Sequence, residues 1–205
     1  MAHQRTSLRF PREGITPRLK LWAKKLNQPV IRNAEVDDYQ TIIRAVDEWW
    51  GGRRVTLMLP KLFFVHFRPT SFVAEGNGLI VAFVIGLVSE TFCDQGYIHF
   101  IGVHPDFRKH GLGHQLYERV FDGMLGLGCR IVRCVTSPVN KGSIAFHLNM
   151  GFKPEDSGKL VEGIPVFEDY DGPGEDRVLF SKALKSGEET KIAFPVKRGK
   201  AGIHQ

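Results

Sequence analysis

Arg108-Lys109-His110-Gly111-Leu112-Gly113 is the stretch whose residue types and spacing point most directly to chemistry. It follows an apolar run ending at Val103 and precedes Leu112, Leu116, Val120 and Met124, which recur every four residues as one face of a helix. A strand-to-helix turn of this kind offers unpaired backbone N–H groups and the positive end of a helix dipole, and both favour an anion. Glycine lets the backbone approach a phosphate oxygen, and Arg108, Lys109 and His110 add positive charge around it. No Gly-Lys-Ser/Thr follows and the third glycine of a dinucleotide fingerprint is absent, so neither of those phosphate sites is indicated. Cys93, Cys129 and Cys134 form no CxxC pair and lie at no zinc spacing from a histidine, so reduced thiols and no metal are expected.

Two further groups of residues fit recognition of a second molecule. Residues 162–176 hold Glu162, Glu168, Asp169, Asp171, Glu175 and Asp176 with no basic residue, a composition that attracts a cationic amine. Trp49 and Trp50 offer aromatic faces for an ammonium group, and Arg53 or Arg54 offers a partner for a carboxylate. The plainer alternatives are a solvated acidic loop and tryptophans of the core.

The elements that must position these residues follow from periodicity. Pro29–Asn33 is predicted as a strand and Val36–Trp50 as a helix with Val36, Tyr39, Ile43, Val46 and Trp50 on one face. Leu57–Phe67 reads as a second helix interrupted near Pro60. Ser71–Glu75 and Leu79–Val88 read as a hairpin through Gly76-Asn77-Gly78. Tyr97–Val103 reads as a strand with Tyr97, His99, Ile101 and Val103 on one face and Ile98, Phe100 and Gly102 on the other. A helix from Leu112 to about Gly126–Gly128, a strand Cys129–Thr136, a helix Asn140–Met150 and an antiparallel pair of Pro165–Tyr170 with Arg177–Ser181 complete the order β-α-α-β-β-β-α-β-α-β-β. The fold class is mixed α/β, with a mostly antiparallel central sheet flanked by helices. In such sheets the unit at 97–136 is the natural place for a ligand.

The chain has 205 residues, 42% of them hydrophobic and 15 of them Phe, which fits one globular domain with tails. No apolar run approaches the ~20 residues of a membrane-spanning helix, so no membrane partner is expected. The formal charge of +6 is uneven. Residues 1–28 carry seven basic groups against one acid and residues 185–205 five against two, whereas residues 29–184 carry 16 against 19. A body of that sign is not a groove for a phosphate backbone, so nucleic acid is not expected as a partner. Three parts are predicted: a flexible basic extension 1–28, with an organellar transit peptide as the alternative, a domain 29–184, and a basic tail 185–205. A cytoplasmic protein is expected, and a homodimer stays open.

Two signatures in order resemble the GNAT superfamily of acetyl-CoA-dependent acetyltransferases. Val103-His104-Pro105 followed by Arg108 to Gly113 matches its Val-x-Pro and Arg/Gln-x-x-Gly-x-Gly/Ala. Asn140, Ser143, His147 and Gly151-Phe152 match its second signature. The resemblance covers about residues 29–184 and implies an N-acetyltransferase. Its acetyl-CoA would set the pyrophosphate on the amides of the Arg108–Gly113 loop, with Lys109, His110 and Leu112 within it. The pantetheine would lie between strands 97–103 and 129–136 against backbone groups of Ile101 and Val103, with Asn140 and Ser143 near it; Asn140 serves equally as a helix N-cap.

Transfer to an amine needs a base. The glutamate that many members carry is Tyr97 here. Tyr97 and His99 occupy the places of two histidines in arylalkylamine acetyltransferases, which implies His99 as base, directly or through water, with Glu90 and Asp94 as alternatives. An imidazole of ordinary pKa near 6.5 suits base work at neutral pH. His147 holds the place of the usual tyrosine acid, which implies protonation of the leaving thiolate. The resemblance puts acceptor recognition at Trp49, Trp50 and Arg53 and at Glu168 and Asp169, and implies a small-molecule, amino-acid or peptide amine attacking directly in a ternary complex. The missing glutamate keeps a second reading open, a non-catalytic acyl-CoA-binding or adaptor module whose basic tails engage a partner.

Overall fold

The computed structural model describes residues 29–185; the expectations for the basic extension and for the rest of the tail fall outside them. Among the described residues nine strands and four α-helices follow in chain order: β1 Val30–Asn33, α1 Asp38–Trp49, α2 Leu62–His66, β2 Phe72–Gly76, β3 Leu79–Val88, β4 Gln95–Val103, α3 Leu112–Gly126, β5 Ile131–Thr136, α4 Lys141–Asn149, β6 Lys153–Pro154, β7 Leu160–Val161, β8 Ile164–Pro165 and β9 Val178–Ala183. Seven strands form one sheet in the order β1-β2-β3-β4-β5-β9-β6, antiparallel at every seam except β4–β5, and β7–β8 form a separate hairpin.

The β2–β3 hairpin closes as its sequence requires, since Asn77 and Gly78 take φ of 50° and 77°, the left-handed pair of a tight turn. β3 is apolar on both faces because helices cover both. On one face α3 seats Leu116, Tyr117, Val120 and Met124 against Ala82, Val84 and Ile98. On the other, α1 seats Ile42, Val46 and Trp49 against Phe83, Ile85 and Phe100. Side chains of this size contribute roughly 1.5–3 kcal/mol each when fully buried. The buried stripe of α1 is Asp38, Ile42, Ala45, Val46 and Trp49 rather than the predicted face, and Asp38 at its start pairs with Arg32 at 2.7 Å.

Alternation along β4 does not run through. Phe100 pairs with Ile85 and Ile98 with Gly86, so His99 is an extra residue in a β-bulge. The bulge reverses the faces. A side chain at Gly96 would strike Met124 on the α3 side, while one at Gly102 would strike Phe83 and Trp50 on the α1 side. Tyr97, opposite Leu87, therefore does not share a face with Ile101 and Val103 as predicted.

The predicted pair of Pro165–Tyr170 with Arg177–Ser181 is reduced to one bridge, Phe167 to Arg177. Ile164–Pro165 instead returns on Leu160–Val161 through Glu162 and Gly163, with φ of 52° and 80°, and Asp169 at φ 50° ends any extended run. β9 pairs with β5 and β6. The predicted second helix is a 3-10 turn, Thr56–Met58, and the single turn and a half of α2. Among the described residues no helix is long and apolar enough to cross a membrane.

Candidate functional site

The parallel β4–β5 ladder runs from Gln95–Ile131 to Ile98–Cys134 and stops, so from His99 onward β4 has no strand beside it on that side. The sheet opens at the bulge. At the far end of the opened seam, β4 passes through a 3-10 turn, Pro105–Phe107, into the loop that starts α3.

That loop leaves a run of backbone amides without partners. Gly111 caps α3 at φ 76°, and Lys109 at φ 64° turns the chain before it. Gln115 donates its N–H to Gly111, but the N–H groups of Lys109 through His114 have no partner among the described residues. Six consecutive free donors at the positive end of a 15-residue helix can hold a phosphate group. Lys109 and His110 are exposed beside them. Arg108 is employed differently from the sequence expectation: Nε donates to Val103 C=O at 3.0 Å and an Nη donates to Trp49 C=O. Its guanidinium ties the loop to the end of β4 and the end of α1, with its donors directed at carbonyls. Gly113 faces Phe146, whose ring lies 3.4 Å from where a Cβ would stand.

At the other edge of the opening, His99 Nε2 lies 2.7 Å from Met58 C=O and its ring stacks on Phe63 with centroids 4.4 Å apart. A carbonyl only accepts, so Nε2 carries a proton and, in the neutral ring, Nδ1 is the nitrogen with the lone pair. Tyr97 is half-buried, and burial raises its phenol pKa well above the usual range, with Cys134, Tyr170 and Asp171 adding to the rise and Arg177 opposing it. Its hydroxyl stays protonated.

Asn140 caps α4, its Oδ1 accepting the Ser143 N–H at 3.2 Å. His147 is turned into the core. It is 4% exposed, stacks on Phe180, and takes Tyr117 Oη at 2.8 Å on Nε2. Its Nδ1 lies 2.8 Å from Ser143 C=O, so Nδ1 carries the proton and Nε2 accepts from Tyr117. Burial lowers its pKa, opposed by the Ser143 contact. Both nitrogens of this neutral imidazole are bonded inside the fold, so His147 packs in the core and is not turned to the opening where a general acid was expected. The same holds for Trp49, 4% exposed against Phe83 and His104, whereas Trp50 lies half-buried over Phe100 and Gly102.

The acidic stretch is also not the open field its composition suggests. Lys141 pairs with Glu162, Lys159 with Glu168, and Arg177 with both Asp171 and Glu175. Asp169 Oδ1 accepts the Gly174 N–H. The side chains of Arg53 and Arg54 are exposed with no hydrogen bond or ion pair among the described residues. The features that sequence reasoning missed are the bulge, the Met58 carbonyl on His99 and the two hydrogen bonds from Arg108; no local residue pattern announces any of them.

A strand that bulges and parts from a parallel neighbour, leading into a loop of free amides, is a specific arrangement, and a model of the acetyltransferase (GNAT) family matches residues 14–152. The chain belongs to the GNAT acetyltransferase family. GNAT enzymes transfer the acetyl group of acetyl-CoA, and this chain is an acetyltransferase of that kind. It is similar to an acetyltransferase of Yersinia pestis (strain Pestoides F), 28% identical over 111 residues, which is 54% of this chain and 71% of the relative. Its fold resembles that of Ard1 from Thermoplasma volcanium, with a TM-score of 0.62 at 17% identity over 78% of this chain and all of the other. It likewise resembles YncA from Salmonella typhimurium, solved with its cofactor acetyl-CoA, with a TM-score of 0.57 at 18% identity over 82% of this chain and all of the other.

Proposed function

We propose that this GNAT enzyme acetylates a primary amine of a small molecule, amino acid or peptide by direct attack in a ternary complex. The observation that carries the reading is the row of six partnerless N–H groups, Lys109 to His114, at one end of the β4 opening with a free His99 lone pair at the other. The loop amides take the pyrophosphate of acetyl-CoA, with Lys109 and His110 adding charge. The backbone of Ile101 and Val103 on the opened edge pairs with the pantetheine in this reading, and Asn140, the cap of α4, and Ser143 in its first turn contact the same arm. Bound there, acetyl-CoA supplies an activated acyl carbon.

An amine of pKa ~10.4 is neutral in about one molecule in 10³ at pH 7, a burden of roughly 4.6 kcal/mol before attack. His99 Nδ1 relieves it by accepting the ammonium proton while Nε2 stays anchored on Met58 C=O. A second proton leaves the nitrogen as the amide forms, and the departing thiolate takes it, so no separate acid on the enzyme is required. Tyr97, whose proton is held too tightly to be given to a thiolate, acts as a hydrogen-bond donor facing the acceptor. The experiment is thiol release from acetyl-CoA across an amine panel with His99→Ala and His99→Gln. Loss of positioned base catalysis lowers kcat by about 10²–10⁴ with acetyl-CoA affinity kept. Unchanged turnover removes His99 from the chemistry.

A further inference from the structure

The acceptor side of the opening carries an electrostatic and apolar imbalance. No acidic residue occurs from 49 through 74, a stretch that holds Arg53, Arg54, Lys61 and Arg68. The rest of the body, 29–48 and 75–184, carries 12 basic residues against 19 acidic ones. Arg68 is spent on the Ala34 carbonyl, but Arg53, Arg54 and Lys61 are exposed and unbonded among the described residues. Among them stand four exposed aliphatic side chains, Leu57 (79%), Met58 (50%), Leu62 (46%) and Val65 (42%). This surface is joined to the reacting centre, because the same segment supplies the Met58 carbonyl and the Phe63 ring that hold His99.

We infer that the acceptor met by this surface is an anionic, apolar amine: a peptide whose terminal amine is followed by aliphatic and acidic residues. The inference rests on the amine reading above and narrows it. An amine that reaches His99 continues along residues 53–65, where aliphatic side chains gain contact with Leu57, Met58 and Leu62 and a carboxylate meets Arg53 and Arg54. The loop 162–176 draws a cation less than its six carboxylates suggest, since those at 162, 168, 171 and 175 are paired with Lys141, Lys159 and Arg177 and those at 169 and 176 accept amides of the loop itself. The exposed apolar groups are aliphatic rather than aromatic, which argues against stacked nucleic-acid bases. The two chain ends are basic, so charge does not favour either of them as the cover of this surface.

The test uses the full chain, acetyl-CoA and four short peptide amides with one common N-terminal residue, followed by Leu-Leu-Glu, Leu-Leu-Lys, Ser-Ser-Glu or Ser-Ser-Lys. The expected order of kcat/KM has the Leu-Leu-Glu peptide first, about tenfold above its lysine counterpart, because two surface guanidiniums exchange attraction for repulsion. Arg53→Glu/Arg54→Glu reverses the Glu-over-Lys preference, and Leu57→Ser/Leu62→Ser removes the Leu-over-Ser preference, each with an unchanged melting temperature. A charge preference that survives the double arginine reversal overturns the assignment. So does retention of the chain on anionic phosphatidylserine vesicles that depends on these residues while peptide selectivity is absent, since the surface would then belong to a lipid. If His99→Ala leaves turnover intact but the peptide order holds, the base assignment fails and this one stands.

Discussion

Replacing Arg108 separates two roles that its position beside the free amides invites. As a phosphate ligand it would act through charge, and lysine would replace it. In the structure its guanidinium instead bridges Val103 C=O at 3.0 Å and Trp49 C=O, two carbonyls from different elements. Hydrogen bonds to a charged donor contribute about 1.5–3 kcal/mol in general, and at a site this exposed about 1 kcal/mol each is a reasonable discount. Arg108→Met then removes about 2 kcal/mol of loop order, which reappears as about 30-fold weaker acetyl-CoA binding when the ligand must order the loop itself. Lysine cannot span both carbonyls, so Arg108→Lys recovers one bond and stays about fivefold weak. Calorimetric titration of acetyl-CoA into the three proteins reads these numbers directly. Wild-type affinity for Arg108→Lys at low salt, with a deficit for Arg108→Met that vanishes at high salt, would return Arg108 to the phosphate and refute the bridging argument.

Gly113→Glu is expected to abolish acetyl-CoA binding by setting a carboxylate among the free amides, while Gly113→Ala, whose Cβ would rest 3.4 Å from Phe146, keeps both fold and binding; calorimetry on both variants checks it. Gly86→Ala would bring Cβ to 2.6 Å from the Thr70 carbonyl oxygen opposite the bulge and is expected to cost about 1–3 kcal/mol, read as a lower urea midpoint. His147 and His104 are both held below the ordinary histidine pKa, by burial above all. The unfolded chain therefore binds more protons than the folded one, and the stability they provide is complete above about pH 6.5 and falls with pH below it, by up to about 1.4 kcal/mol per unit for each group. Denaturant midpoints between pH 7.5 and 5 should show this slope, and His147→Gln should reduce it; an unchanged slope in that variant would mean that His147 charges freely in the fold.

What the sequence made legible depended on whether a signal was local. The Gly76-Asn77-Gly78 turn, the four-residue stripe of α3, the Asn140 cap and the glycines of the 108–113 loop each encode their own backbone conformation, and each is found where its pattern puts it. Direction was the part that stayed hidden. One extra residue in β4 reverses the faces of everything after it, and nothing in Tyr97–Val103 marks His99 as that residue, because the bulge is set opposite Ile85 and Gly86 on another strand. His147 has a spacing that allows a site role, yet Tyr117 and Phe180 draw it inward from helices and strands remote in sequence. The acidic stretch is the sharpest case. Its composition is negative by count, but the cations that offset it include Lys141 and Lys159, which lie outside its span. A carboxylate with a cation at contact distance presents the field of a dipole rather than that of a charge, and it falls off within a few ångströms in water. On the reading proposed above, the unpaired cations Arg53, Arg54 and Lys61 therefore face a stretch whose six carboxylates are offset by three cations rather than six free charges. If the amine reading holds, that distinction decides which acceptors approach His99.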